Sequence, residues 1–144
     1  MQSIETYLSE YAESHKNPTN QWVHNICVPA ITWSILGFLH TFVIADVIRL
    51  SHLFVLFALI YYCFFRKALI VTMMALVSGV FLFSFQFIPN LFWTSIVVFV
   101  IAWIGQFYGH HVEGKRPSFL KDLTFLLIGP VWVLKKVFPR IDAC

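Results

Sequence analysis

The run ALIVTMMALVSGVFLFSFQFI, Ala68 to Ile88, carries no charge and lies between the basic pair Arg66-Lys67 and the turn pair Pro89-Asn90. A helix crosses the bilayer core with about 20 largely apolar residues, within a range of roughly 17–25, so this run predicts a membrane span. Outward from it, residues 91–110 and 22–45 predict two more. Residues 50–65 are shorter in their strictly apolar part, Leu53 to Phe65, and span only if Ser51 and His52 sit in the headgroup region.

Composition agrees. Hydrophobic residues make up 59% of the chain and charged residues 12%, with a mean hydropathy of +0.77, against about 45–50% and 25% in soluble domains. The 144 residues form one membrane domain, 1–144, with lipid as the solvent for most of it. The opening MQSIETYLSEYAESHKN is polar and acidic and lacks the apolar core of a cleaved signal peptide. Cys27, Cys63 and Cys144 show no paired spacing, so no disulfide framework is expected, and Cys27 and Cys63 read as packing residues. No basic stripe with interleaved aromatics suits nucleic acid; the basic residues flank the membrane instead.

Charge placement sets the number of crossings. With four spans and a cytoplasmic N-terminus, Arg66-Lys67 and the basic tail face the cytoplasm and only Arg49 lies outside, a positive-inside pattern. Three spans would put the basic turn or the tail on the wrong side. The expectation is an all-α integral membrane protein with four transmembrane helices. An N-terminal amphipathic helix over 3–16 precedes them, and a short re-entrant or interfacial helix over about 119–134 follows. Both termini face the cytoplasm, from a bacterial inner membrane or the endoplasmic reticulum. The last helix is expected to break at Gly129-Pro130, because proline removes a backbone donor and crowds the preceding turn.

Ser3 is the expected N-cap of the first helix, whose apolar stripe Ile4, Tyr7, Leu8 and Tyr11 continues to His15. Asn17-Pro18 stops that helix and starts the next, where Asn20 and His24 share a face. Four of six histidines lie in two polar clusters, HKNPTNQWVHN (His15–Asn25) and GHHVEGKRP (Gly109–Pro117). An even number of crossings brings both clusters to one membrane face, where polar residues suggest function. His110 and Glu113 are three apart and point the same way, whereas His111 is turned about 100° from His110. Two or three imidazoles with a carboxylate suit Fe(II), Zn or Mn.

Other polar residues have plainer readings. His40 is expected to bond between helices and His52 to lie at the far interface. Gly114 and Pro117 should end the last span, and Trp22, Trp103 and Tyr108 read as interfacial anchors. Lys115 and Arg116 flank the membrane and can also pair with a fatty acid carboxylate. GxSxG, HExxH, CxxCH and a phosphate-cradling glycine loop are all missing from the sequence.

His15, Asn20, His24, Val28 and Pro29 form H-x4-N-x3-H followed by VP. Gln106, Phe107, Gly109, His110, Glu113, Gly114 and Pro117 form QFxGHxxEGxxP, and Gly129-Pro130 falls in the apolar tail. In these motifs, and over nearly its whole length, the chain resembles the membrane-bound 2-hydroxy fatty acid dioxygenases of fungal phytosphingosine breakdown and their bacterial relatives. The resemblance implies an Fe(II) enzyme that needs no 2-oxoglutarate. Such an enzyme shortens a 2-hydroxy fatty acid by one carbon with O2 and releases CO2. It further implies His15, His24 and His110 as iron ligands, with Glu113 and Asn20 completing or orienting the set; His111, turned away from His110, is read from its position alone as a catalytic, supporting or substrate-facing neighbour. The chain departs from the family pattern at Cys27, Ser118 and Lys135-Lys136. Two other classes compete: a non-enzymatic four-helix scaffold or lipid-binding protein, and a zinc-dependent lipid hydrolase.

Overall fold

The computed structural model describes residues 2–117, 120 and 124–141. Helix α1 (Ile4–Glu13) starts at Ser3, whose hydroxyl accepts the Thr6 N–H at 3.2 Å, and it buries Ile4, Tyr7, Leu8 and Tyr11. Asn17 caps α2 (Pro18–His40) by accepting the Thr19 N–H, with Pro18 in the first turn where its missing donor costs nothing. Then follow α3 (Leu50–Cys63), α4 (Ala68–Ser84), a 3-10 turn (Phe85–Phe87), α5 (Leu91–Glu113) and α6 (Phe125–Val137).

Among the described residues, Pro18–His40, Ala68–Phe87 and Leu91–Glu113 are long and apolar enough to cross a membrane. Helix α3, at 14 residues, is about 21 Å long. The bundle is inverted relative to a soluble protein. Trp22, Phe57 and Val80 are 69%, 74% and 65% exposed, while Ser34, Ser51, Ser95 and Gln106 are buried. So large an apolar exterior requires lipid, and the chain is a membrane protein.

Helices α2 and α5 pack antiparallel along their lengths because their seam is built from small residues. Gly37 lies against Ser95, Gly105 against Cys27 and Gly109 against Asn20. A Cβ at Gly105 would stand 2.7 Å from the Cys27 sulfur, and one at Gly109 would overlap the Asn20 side chain. The start of α2 and the end of α5 therefore meet. The same end is covered by α1 and α6: Tyr7, Leu8 and Tyr11 share a core with Phe125, Ile128 and Trp132. Tyr62 at the end of α3, Phe65 just beyond it, and Ile70 and Met74 from α4 complete that core. Glu5 pairs with Lys67 at 3.1 Å.

Two local expectations are corrected. The helix expected to reach residue 45 ends at His40, and Val43–Ala45 (β1) pairs antiparallel with Ile48–Arg49 (β2). The β-branched residues there favour extended chain, Asp46 turns with φ 46°, and the Arg49 guanidinium binds the His40 carbonyl at 2.7 Å. His40 thus sits at the end of α2 rather than deep inside it, where its Nδ1 meets the Ser51 hydroxyl at 2.8 Å, an interhelical bond. His52 Nδ1 accepts the Arg49 N–H at 3.0 Å.

The second correction concerns α6, which runs unbroken through Gly129-Pro130. The Tyr62 hydroxyl donates to the Leu127 carbonyl at 2.6 Å, next to the place where proline removes a helix bond. Ser118, Cys144 and most of the first turn expected for this helix lie outside the described residues.

Candidate metal centre

Three elements each bring one histidine to the covered end of the bundle: His15 from the link between α1 and α2, His24 from α2 and His110 from the last turn of α5. His15 and His24 are each 1% exposed, and His110 is buried. His15 Nδ1 bonds the Tyr11 carbonyl and His24 Nδ1 bonds the Asn20 carbonyl, the latter at 3.1 Å. A carbonyl can only accept, so both Nδ1 atoms carry the proton and both Nε2 lone pairs are free to bind metal.

The Nε2 atoms of His24 and His110 face each other at 3.2 Å. Two imidazole nitrogens about 2.1 Å from a shared metal stand roughly 3.0–3.4 Å apart at ordinary coordination angles. His15 Nε2 is buried with no hydrogen-bond partner among the described residues. The three side chains offer ligand atoms that all lie within 4.8 Å of one another. This set fits a metal ion.

Aromatic rings wall the cluster. Tyr11 stacks on His15 at 4.1 Å with an 8° interplanar angle, and Trp132 lies 5.2 Å from His15. Burial pushes the His15 imidazole down to about 4, helped by nearby His110 and Lys136, while its bond to Tyr11 opposes the shift. At neutral pH it is uncharged, the form that binds metal.

The remaining candidates fall around the cluster. The Glu113 carboxylate does not join the imidazoles; it accepts the backbone N–H groups of Lys16 and Asn17, the latter at 2.8 Å, and so fastens the end of α5 to the link that carries His15. Asn20, fully buried, donates to the Ser14 carbonyl at 3.0 Å. His111 and Arg116 are exposed, and exposed Lys115 donates to the Glu13 carbonyl at 3.2 Å. Gly114 ends α5 with φ 76°. His40 lies about 24 Å further along α2 than His24.

A cavity opens beside the histidines, lined by Tyr11, Val28, Ile31, Trp103 and Gln106 among others. Gln106 Oε1 is buried and without a hydrogen-bond partner among the described residues. Trp103, expected as an interfacial anchor, lines this cavity. Sequence reasoning gave Gln106 and Tyr11 no role of their own, although spacing held the signal. Trp103 and Gln106 precede His110 by seven and four positions, and Tyr11 precedes His15 by four, so each pair shares a helix face.

Fold and cluster together define a helical membrane protein with a buried three-histidine centre at one end of its bundle. A sequence model described as "2-hydroxy-palmitic acid dioxygenase Mpo1-like" matches residues 1–141, and the chain belongs to this Mpo1-like family. It is 29% identical over 135 residues to the 2-hydroxy-palmitic acid dioxygenase MPO1 of Saccharomyces cerevisiae, an overlap covering 91% of this chain and 77% of that protein. No solved structure matches the chain.

Proposed function

We propose that this protein is an Fe(II)-dependent dioxygenase that converts a 2-hydroxy fatty acid and O2 into the fatty acid one carbon shorter, CO2 and water, without 2-oxoglutarate. The observation that carries this reading is the convergence of the His15, His24 and His110 imidazoles, in a chain whose yeast relative is named for that class of reaction. These three residues would hold the iron, which when bound supplies the centre for O2 activation. The reaction balances unaided: oxidation of the hydroxyl carbon and loss of the carboxyl carbon as CO2 provide the four electrons that O2 takes up.

The chain's own residues supply the setting. Tyr11 and Trp132 shield His15 from water, and their contacts fix its ring plane. Gln106 accepts a hydrogen bond from the substrate hydroxyl through its free Oε1. Glu113 keeps the His15 link closed against α5. Lys115 and Arg116, exposed at the same end, draw the anionic head toward it. In the membrane, α3 makes a fourth, shorter crossing, with both termini and the histidine cluster on the cytoplasmic side.

A second reading follows from the carboxylate's absence from the cluster, since three histidines with an open fourth position also suit catalytic zinc. It would make the protein a zinc-dependent lipid hydrolase. The test is O2 uptake by iron-loaded protein given 2-hydroxypalmitate. One pentadecanoic acid and one CO2 per O2 support the proposal. Absence of uptake, or full activity in both His24→Ala and His110→Ala, overturns it.

A further inference from the structure

The histidine-lined cavity has neighbours inside the bundle. It shares Thr32, Ile35 and Leu126 with a larger cavity of about 280 Å³ between α2, α3, α4 and α6. The wall of this second space is apolar, formed by Leu36, Val55, Leu59 and Met74 among others, with the small residues Ala58 and Ser78 facing it from α3 and α4. Its volume is close to the roughly 300 Å³ at which small-ligand pockets begin. The path from His24 to Leu36 along α2 is about 18 Å by helix rise. One leaflet of a bilayer is about 15 Å of hydrocarbon, comparable to this separation of two residues that line the two cavities.

A separate cavity of about 280 Å³ lies between α2 and α5, lined by Ser34, Phe38, Ser95, Ile96 and Phe99. Among the described residues it shares only Ile35 with the histidine cavity, whereas the α3–α4 space shares three. Among those three, Leu126 is 43% exposed and places the junction beside lipid. Ile35 thus borders both spaces, and the one that shares more of the histidine cavity's wall is the one lined by Ala58.

We propose that the cavity between α2, α3, α4 and α6 binds one acyl chain whose polar head lies at the histidine cluster, and that the side chain at position 58 limits its length. The proposal rests on the histidine cluster being the reaction centre, yet its test reads chain position without turnover. The probe is palmitic acid carrying a photoreactive diazirine near its methyl end, crosslinked to the full chain in nanodiscs and mapped by mass spectrometry.

Saturable labelling on α3 and α4, competed by unlabelled palmitate, is expected. In Ala58→Trp this labelling should fall about ten-fold relative to a ten-carbon probe, and in Ile96→Trp it should be unchanged. Saturable label on Ser95 to Phe99, or an unchanged length preference in folded Ala58→Trp, overturns the assignment. If Ala58→Trp does not fold, the wild-type label map alone decides between the two cavities. Labelling on α3 and α4 without O2 uptake would leave the acyl site standing and remove the dioxygenase reading.

Discussion

The Glu113 carboxylate accepts the Asn17 N–H at 2.8 Å across ninety-six positions of sequence, and through the neighbouring Lys16 N–H it grips the residue that follows His15. Hydrogen bonds to a charged acceptor contribute about 1.5–3 kcal/mol, and supports of this kind change metal affinity by about 10–100-fold. Glu113→Ala is therefore expected to weaken metal binding by about that factor while helix content stays the same. Metal titration followed alongside circular dichroism checks both halves. Unchanged affinity would mean that His15 is held by the aromatic wall alone.

The α2–α5 seam makes a second prediction. Gly109→Ala places a methyl group into the side chain of Asn20, and overpacking of this kind costs about 1–3 kcal/mol. The substitution should lower Tm and spread His24 from His110, reducing metal content as well. Gly79→Ala, on an open face of α4, serves as the control and should leave both measurements close to wild type.

A third prediction concerns pH. His15 titrates at about 4 in the folded chain, against about 6.5 unfolded. Between those values the unfolded state binds the extra proton, so the stability of the metal-free protein rises with pH. It should decline as pH drops from about 6.5 toward about 4 and change little on this account above that window. Melting curves of metal-free protein across the range, with His15→Gln for comparison, should show a shallower slope in the variant.

Topology supplies a fourth. With Cys27, Cys63 and Cys144 replaced by serine, single cysteines at the exposed positions Ser9, Arg66 and Lys115 should react with a membrane-impermeant reagent from one side. A cysteine at Val47, on the β1–β2 hairpin, should react from the other. Labelling of Arg66→Cys from the Val47 side would mean that α3 does not cross.

Hydropathy runs made the long helices legible in the sequence, because a chain this apolar has no other way to satisfy its backbone. The stripe through Tyr11 pointed to His15, and the expected even number of crossings would put His24 and His110 on one face. The structure brings these three together, while His40 and His52 cap the opposite end. What stayed hidden depends on partners distant in sequence. Gly37, Gly105 and Gly109 acquire meaning only once α2 lies against α5. Glu113 binds backbone amides, which leave no mark in a residue pattern. The continuity of α6 through Pro130 accompanies a hydroxyl on Tyr62 that local propensity cannot see, and the early end of α2 follows from an Arg49 contact with His40.

On the proposed function, His15, His24 and His110 together hold one catalytic iron. This is tested most directly by metal analysis of protein loaded anaerobically with Fe(II) and then stripped of loosely held ions. About one iron per wild-type chain is expected, and less than roughly a tenth of that in His15→Ala, His24→Ala and His110→Ala, each still helical and monodisperse. Full iron loading in the three variants, or a wild-type protein that retains no iron, would contradict it.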